Sequence, residues 1–256
     1  MNKQIFLSST FTDFNLERDL INSVVKSKVN DALGLLSCSF IDLRWGVDTS
    51  YETPKTKMKK ILSRCTEVVR STRPYFILLL GDNYGTLINK EDYNLFCKFN
   101  RINPGNGPTS LTELETVISG FYDERVDGGL YLVLKRNILN KDGLKESKYI
   151  GQKNIEKLDN FRVRVKKSKA IEIPYNAFVD EDDNLSLLNK EQFVDDVSNA
   201  IVNALKKEID TGARDDALAK QKHFFDNLEQ SFLKETIIRE KLLSAIKAAT
   251  FSNKIT

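Results

Sequence analysis

Hydrophobic positions along this chain switch between two periods. Tyr75-Phe-Ile-Leu-Leu-Leu80 is an unbroken apolar run, opened by Pro74 and closed by Gly81. A strand with one wet face alternates, so an unbroken run predicts a strand covered on both faces, as in a parallel sheet. Gln4–Ser8, Ser39–Leu43, Leu130–Leu134 and Ala170–Pro174 predict four further strands. Pro174 has no N–H for a ladder, which predicts a short strand at an edge.

Between these runs the period becomes helical. Phe14, Leu20, Ile21, Val24, Val25 and Val29 predict a helix from about Asp13 that ends at Gly34. Met58, Ile61, Leu62, Cys65 and Val69 predict a second, over 57–71, after a polar loop reaching Pro54. Leu111, Leu114, Ile118, Phe121 and Tyr122 give a third, starting at Ser110. A fourth spans 153–166, and a fifth opens at the N-cap pattern Asn189-Lys-Glu-Gln192 and runs to about 209. The stretch Thr86–Thr109 reads as a long loop, of the kind that forms lids and binding loops.

Strands alternating with helices predict the α/β class: a flavodoxin-like, five-stranded parallel sheet with helices on both faces. Ligands of such sheets sit at the carboxyl ends of the strands where the strand order reverses, here between the first and third. That rule gathers Ser8–Phe11, Gly81–Gly85 and the start of the third helix around one crevice. The domain is expected over 1–210. Thr211-Gly212 breaks the chain, and 211–256 carries apolar stripes too sparse for a core of its own. It reads as a helical connector towards a part absent from this chain.

Composition narrows the chemistry. Among 256 residues, 39 basic and 36 acidic side chains leave a formal charge of +3, too weak a field to predict nucleic-acid binding. Cys38, Cys65 and Cys97 are an odd, scattered set, which predicts reduced thiols and a cytoplasmic protein. No apolar stretch approaches the roughly 20 residues that span a bilayer, and the N-terminus reads as a strand rather than a signal peptide. His223 is the sole histidine and lies in a charged helical segment, so a Ser-His-Asp triad or a histidine-rich metal site is not expected. A P-loop pattern is absent as well.

Candidate site residues come from the crevice. Arg44-Trp45 leaves the second strand at the same end of the sheet, and can stack on a planar ligand and meet a phosphate, or can simply pack. Gly81-Asp-Asn-Tyr-Gly85 is either a tight turn or a ligand-facing wall. Ser110-Leu-Thr-Glu113 is a capping box, in which Ser110 caps the helix and Glu113 reaches back to its amide. Glu113 also stands where a carboxylate can face a sugar. Both readings of it stay open.

Several of these segments resemble one family. Ile5-Phe-Leu-Ser-Ser-Thr-Phe-Thr-Asp-Phe14 with Glu17-Arg18, Asp42-Leu-Arg-Trp-Gly-Val47, Arg73-Pro-Tyr-Phe76, Leu80-Gly-Asp-Asn-Tyr-Gly85 and Ser110-Leu-Thr-Glu-Leu-Glu115 are similar to the TIR-like domain that precedes the NACHT or STAND ATPase in nephrocystin-type and telomerase-associated-type proteins. Bacterial relatives of that layout resemble antiphage sensors. The resemblance implies an effector domain that self-associates, with an ATPase beyond this chain, and neither nucleic acid nor membrane as partner. It also implies NAD as substrate, with no other cofactor and no metal, cleaved to nicotinamide and ADP-ribose. Enzymatic TIR domains use a glutamate early in the helix after the third strand. Glu113 fits that position best and Glu115 is the second choice. Ser8, Ser9, Phe11, Arg44, Trp45, Asp82 and Tyr84 are then expected around the substrate. A non-catalytic interaction module is the alternative, and a nucleotide sensor without turnover a third.

Overall fold

The computed structural model of the chain describes residues 2–34, 37–43, 54–100, 107–123, 128–144 and 147–208. β1 (Asn2–Ser8), β2 (Ser37–Ile41), β3 (Tyr75–Leu80), β4 (Leu130–Ile138), β5 (Ile171–Val179) and β6 (Leu185–Leu187) form one sheet in the order β2-β1-β3-β4-β5-β6. The first five run parallel and β6 is antiparallel to β5. The chain is α/β, and its strand order reverses between β1 and β3.

The sixth strand corrects the five-stranded expectation. It returns through a turn in which the Asp180 carboxylate accepts from the amides of Asp182 and Asn184 at 3.0 and 2.8 Å, with Asp183 at a φ of 55°. β5 is also longer than Ala170–Pro174, and it is not the edge. Pro174 is tolerated because β6 reaches only Ala177–Val179, so no strand lies outside the proline.

The first predicted helix is α1 (Asn15–Leu20), a π-helical turn (Ile21–Val25) and α2 (Lys26–Leu33), closed by Gly34 at a φ of 64°. α3 (Pro54–Thr72) begins three residues before its predicted start, with proline in the first turn, where its missing N–H costs nothing. The stretch expected to be a loop contains α4 (Lys90–Asn100). Asn89 caps it by accepting from the Asp92 amide at 2.9 Å, and Tyr93, Phe96 and Cys97 sit at i, i+3 and i+4 on its buried face. α5 (Leu111–Ser119), α6 (Ile155–Lys166) and α7 (residues 190–208) are the remaining α-helices among the described residues.

Alternate residues of the strands feed two cores. Ile5, Leu7, Ile77, Leu79, Leu132 and Leu134 pack against Ile21, Val25 and Val29 and against Val197 and Ile201 of α7. Phe6, Phe76, Leu78 and Val133 pack on the other face with Leu62 and Val69 of α3, Leu114 and Ile118 of α5, and Phe161 of α6. Covering on both sides is what makes β3 apolar throughout. Among the described residues no helix is long and apolar enough to cross a membrane. The predicted connector, with His223, lies outside the described residues.

Candidate functional site

β1 and β3 are neighbours, and each leaves the sheet through a loop at its carboxyl end. The loops touch closely. A Cβ on Gly85 (φ 90°) would stand 2.9 Å from the Thr10 methyl, and one on Gly81 would stand 2.9 Å from the Phe14 ring. Only glycine allows this approach. The glycine turn therefore seals two loops together.

α5 starts beside that seam. Ser110 is its N-cap, in extended backbone (φ −73°, ψ 159°), and its hydroxyl accepts from the Glu113 amide at 3.2 Å. Every residue from Leu111 to Thr116 is buried, so α5 is a central helix rather than a half-wet one. Leu114 points to the sheet, and Glu113 and Glu115 stand about 100° to either side of it. The two carboxylates consequently meet different neighbours.

Glu113 does not complete the box in the way the sequence suggests. Its carboxylate accepts from the Tyr84 hydroxyl and pairs with Arg164 of α6. Glu113 is only 2% exposed, and burial pushes the Tyr84 phenol up. This is a clamp joining the β3 loop, α5 and α6.

Glu115 faces β1 instead. The Ser8 hydroxyl donates to its Oε2 at 2.5 Å, the Cys65 thiol of α3 bonds to it, and the positive charge of Arg18 lies near. Burial dominates, and these groups offset it only in part, so the Glu115 carboxyl is pushed up to about 7. The Cys65 thiol is pushed up in turn by burial and by this carboxylate. Glu115 thus holds a proton that moves near neutrality.

Charged neighbours fix the β1 loop around it. Arg18 donates through Nε to the Ser9 hydroxyl at 2.8 Å, through Nη2 to the Ser9 carbonyl at 3.3 Å, and pairs with Asp42 beyond β2. The Ser9 hydroxyl donates to the Thr10 carbonyl at 2.6 Å, and Thr10 donates to Asp13. Arg136 of β4 pairs with Asp13 at 2.9 Å and with Glu17 at 3.1 Å, and its guanidinium lies over the Phe14 ring at 4.0 Å. Tyr175 of β5 donates to Glu17 at 2.9 Å. Burial raises both carboxyls, and the Arg136 charge opposes it.

The structure brings Ser8 to Glu115, and Tyr84 to Glu113. Ser9 joins the Arg18 network, while Phe11 is 44% exposed at the surface. Asp82 stands apart, paired with Lys141 at 2.5 Å and Arg162 at 2.8 Å. Burial raises its carboxyl, but those two cations outweigh that and hold it below the usual range. Arg44 and Trp45 lie outside the described residues. Arg136 and Arg164 enter these contacts only through the structure, whereas Cys65 stood in the apolar stripe of α3 and Arg18 and Asp42 in the segments that carry the resemblance. Among the described residues no group of three or more His, Cys, Asp or Glu could hold a metal ion.

Residues 4–192 match the family described as a domain of unknown function, DUF4062. No curated protein and no solved structure matches the chain.

Proposed function

We propose, for a chain that belongs to the DUF4062 family, that it is a TIR-like NAD glycohydrolase with Glu115 as its carboxylate. It serves as the effector of a STAND-type defence protein and acts when copies self-associate. The observation that carries this reading is Glu115 itself. It is a buried, proton-poised carboxyl at the end of β1, where the sheet reverses, held by Ser8.

The reaction asks little of the protein. The bond between ribose C1′ and the nicotinamide nitrogen breaks, its electron pair neutralises the cationic ring, and nicotinamide departs without a general acid. Water then adds at C1′ and releases a proton, giving ADP-ribose. What remains for the site is to stabilise an oxocarbenium-like ribose, a task for one anionic group in a dry setting. A cationic nicotinamide beside Glu115 lowers its pKa, so binding the substrate also ionises the group that serves it. Glu113, already neutralised by Arg164, is the poorer candidate.

Release of nicotinamide from NAD by the purified chain, with copies brought together on a scaffold, tests this. Turnover is expected in the unaltered chain and lost in Glu115→Gln, with kcat/KM rising through about pH 7 as Glu115 ionises. No nicotinamide release from the clustered chain sinks the reading. The second reading, an interaction module, then takes its place, and it is favoured by the mere 5% exposure of Glu115.

A further inference from the structure

On the α5–α6 face, at the opposite end of β4 from Arg136, lies a cavity of about 350 Å³. Its aromatic wall is Phe121, Tyr122 and Tyr131, whose rings meet edge to face at 5.3 and 5.7 Å around Phe121. Its cationic wall is Arg164, Lys167 and Lys169, at and just beyond the last turn of α6. Asp123 is the one carboxylate among the described residues of the lining.

Basic residues at a helix C-terminus are ordinary, because they offset the carbonyl end of the dipole. What marks this end of α6 is the company they keep. Among the described lining residues three cations and one carboxylate stand beside aromatic surface, in a space at the lower end of the range for small-molecule sites. Cations opposite aromatic rings suit a ligand that joins an anion to a flat ring, and a carboxylate between them suits sugar hydroxyls.

We propose that this cavity binds a mononucleotide, its phosphate at Lys167, Lys169 and Arg164, its base against Tyr122 and Tyr131, and its ribose hydroxyls towards Asp123. The site is separate from Glu115 and does not depend on the NAD reading. It shares Arg164 with the Glu113 clamp, so an occupant draws on the same guanidinium that holds α5.

Calorimetric titration of the full chain with AMP, adenosine and inorganic phosphate tests this. AMP is expected to bind at least tenfold more tightly than either half, since ring and anion are held together. The double charge reversal Lys167→Glu with Lys169→Glu is expected to weaken AMP at least tenfold; both side chains are at the surface, so the fold survives and circular dichroism checks it. Glu115→Gln is expected to leave AMP binding unchanged. No AMP binding, equal affinity for AMP and phosphate, or indifference to the charge reversal overturns the proposal and leaves a solvated helix end. Loss of AMP binding in Glu115→Gln alone overturns it too, by placing the nucleotide at the end of β1.

Discussion

Helix α5 offers two glutamates to two different environments, and the contrast sets a charge-paired carboxylate against one held by a hydroxyl and a thiol. On the α6 flank, Glu113 is met by a full positive charge and a phenol donor. On the β1 flank, Glu115 is met by a hydroxyl and a thiol, with its cation, Arg18, already engaged by Asp42 and Ser9. Both are buried to a similar degree. Burial alone therefore does not distinguish the two; their partners do. A compensated carboxylate stabilises the fold, whereas a poorly compensated one weakens it and keeps its charge available. Such uncompensated groups are the ones active sites retain.

Exchanging the carboxylates for amides breaks the comparison most sharply. Glu115→Gln is expected to lower NAD turnover by about 10²–10³-fold, the usual loss when one preorganised electrostatic contact is removed, while Glu113→Gln lowers it less than about tenfold. Equal losses in the two variants would mean that the flanks do not differ.

Stability against pH sharpens the same point. Below about 4.5 Glu115 is protonated in both folded and unfolded chains, and contributes no slope. Between about 4.5 and 7 the unfolded chain ionises first, so folding stability from this group falls as pH rises, by about 3 kcal/mol in all. Above 7 the loss is complete. Urea denaturation across this window should show Glu115→Gln free of that decline, and more stable than the unaltered chain at pH 8. Parallel profiles would remove the case for a raised pKa.

On the other flank the sign reverses. Glu113→Leu leaves the Tyr84 hydroxyl without its acceptor in a buried place, and is expected to cost about 1–3 kcal/mol. Adding Tyr84→Phe removes the stranded hydroxyl and should recover part of that loss. A double variant no better than the single would show that the bond contributes little. The smallest effect is expected from Arg164→Ala, because its side chain is 49% exposed: below about 1 kcal/mol, and shrinking with added salt.

Much of the fold was legible because it rests on periodicity. The unbroken run Tyr75–Leu80, the helical stripe of α5, the cap at Ser110 and the stop at Gly34 all express local rules, and each stands in the structure. The misses have physical causes. α4 lies inside a stretch whose length suggested a loop, so Tyr93, Phe96 and Cys97 were not read as one face of a helix. β6 is three residues long and owes its place to pairing with β5. Pro174 suggested an edge because the proline rule concerns one neighbouring strand at one residue, and says nothing of the pairing further along β5.

The candidate site divides in the same way. By itself, the sequence determined that two glutamates flank Leu114 at the start of a helix that follows the central strand. Periodicity does not rank them, and the preference for Glu113 came from the resemblance alone, because positions about 100° either side of an apolar stripe are equivalent until the neighbours of the helix are known. Only the tertiary structure decided that β1 and α3 close on one flank and α6 on the other. The same holds for Arg136, Asp13 and Glu17, which are distant in sequence and share one buried cluster. Which partners each carboxylate meets depends on groups brought in from other elements, and no local pattern records that.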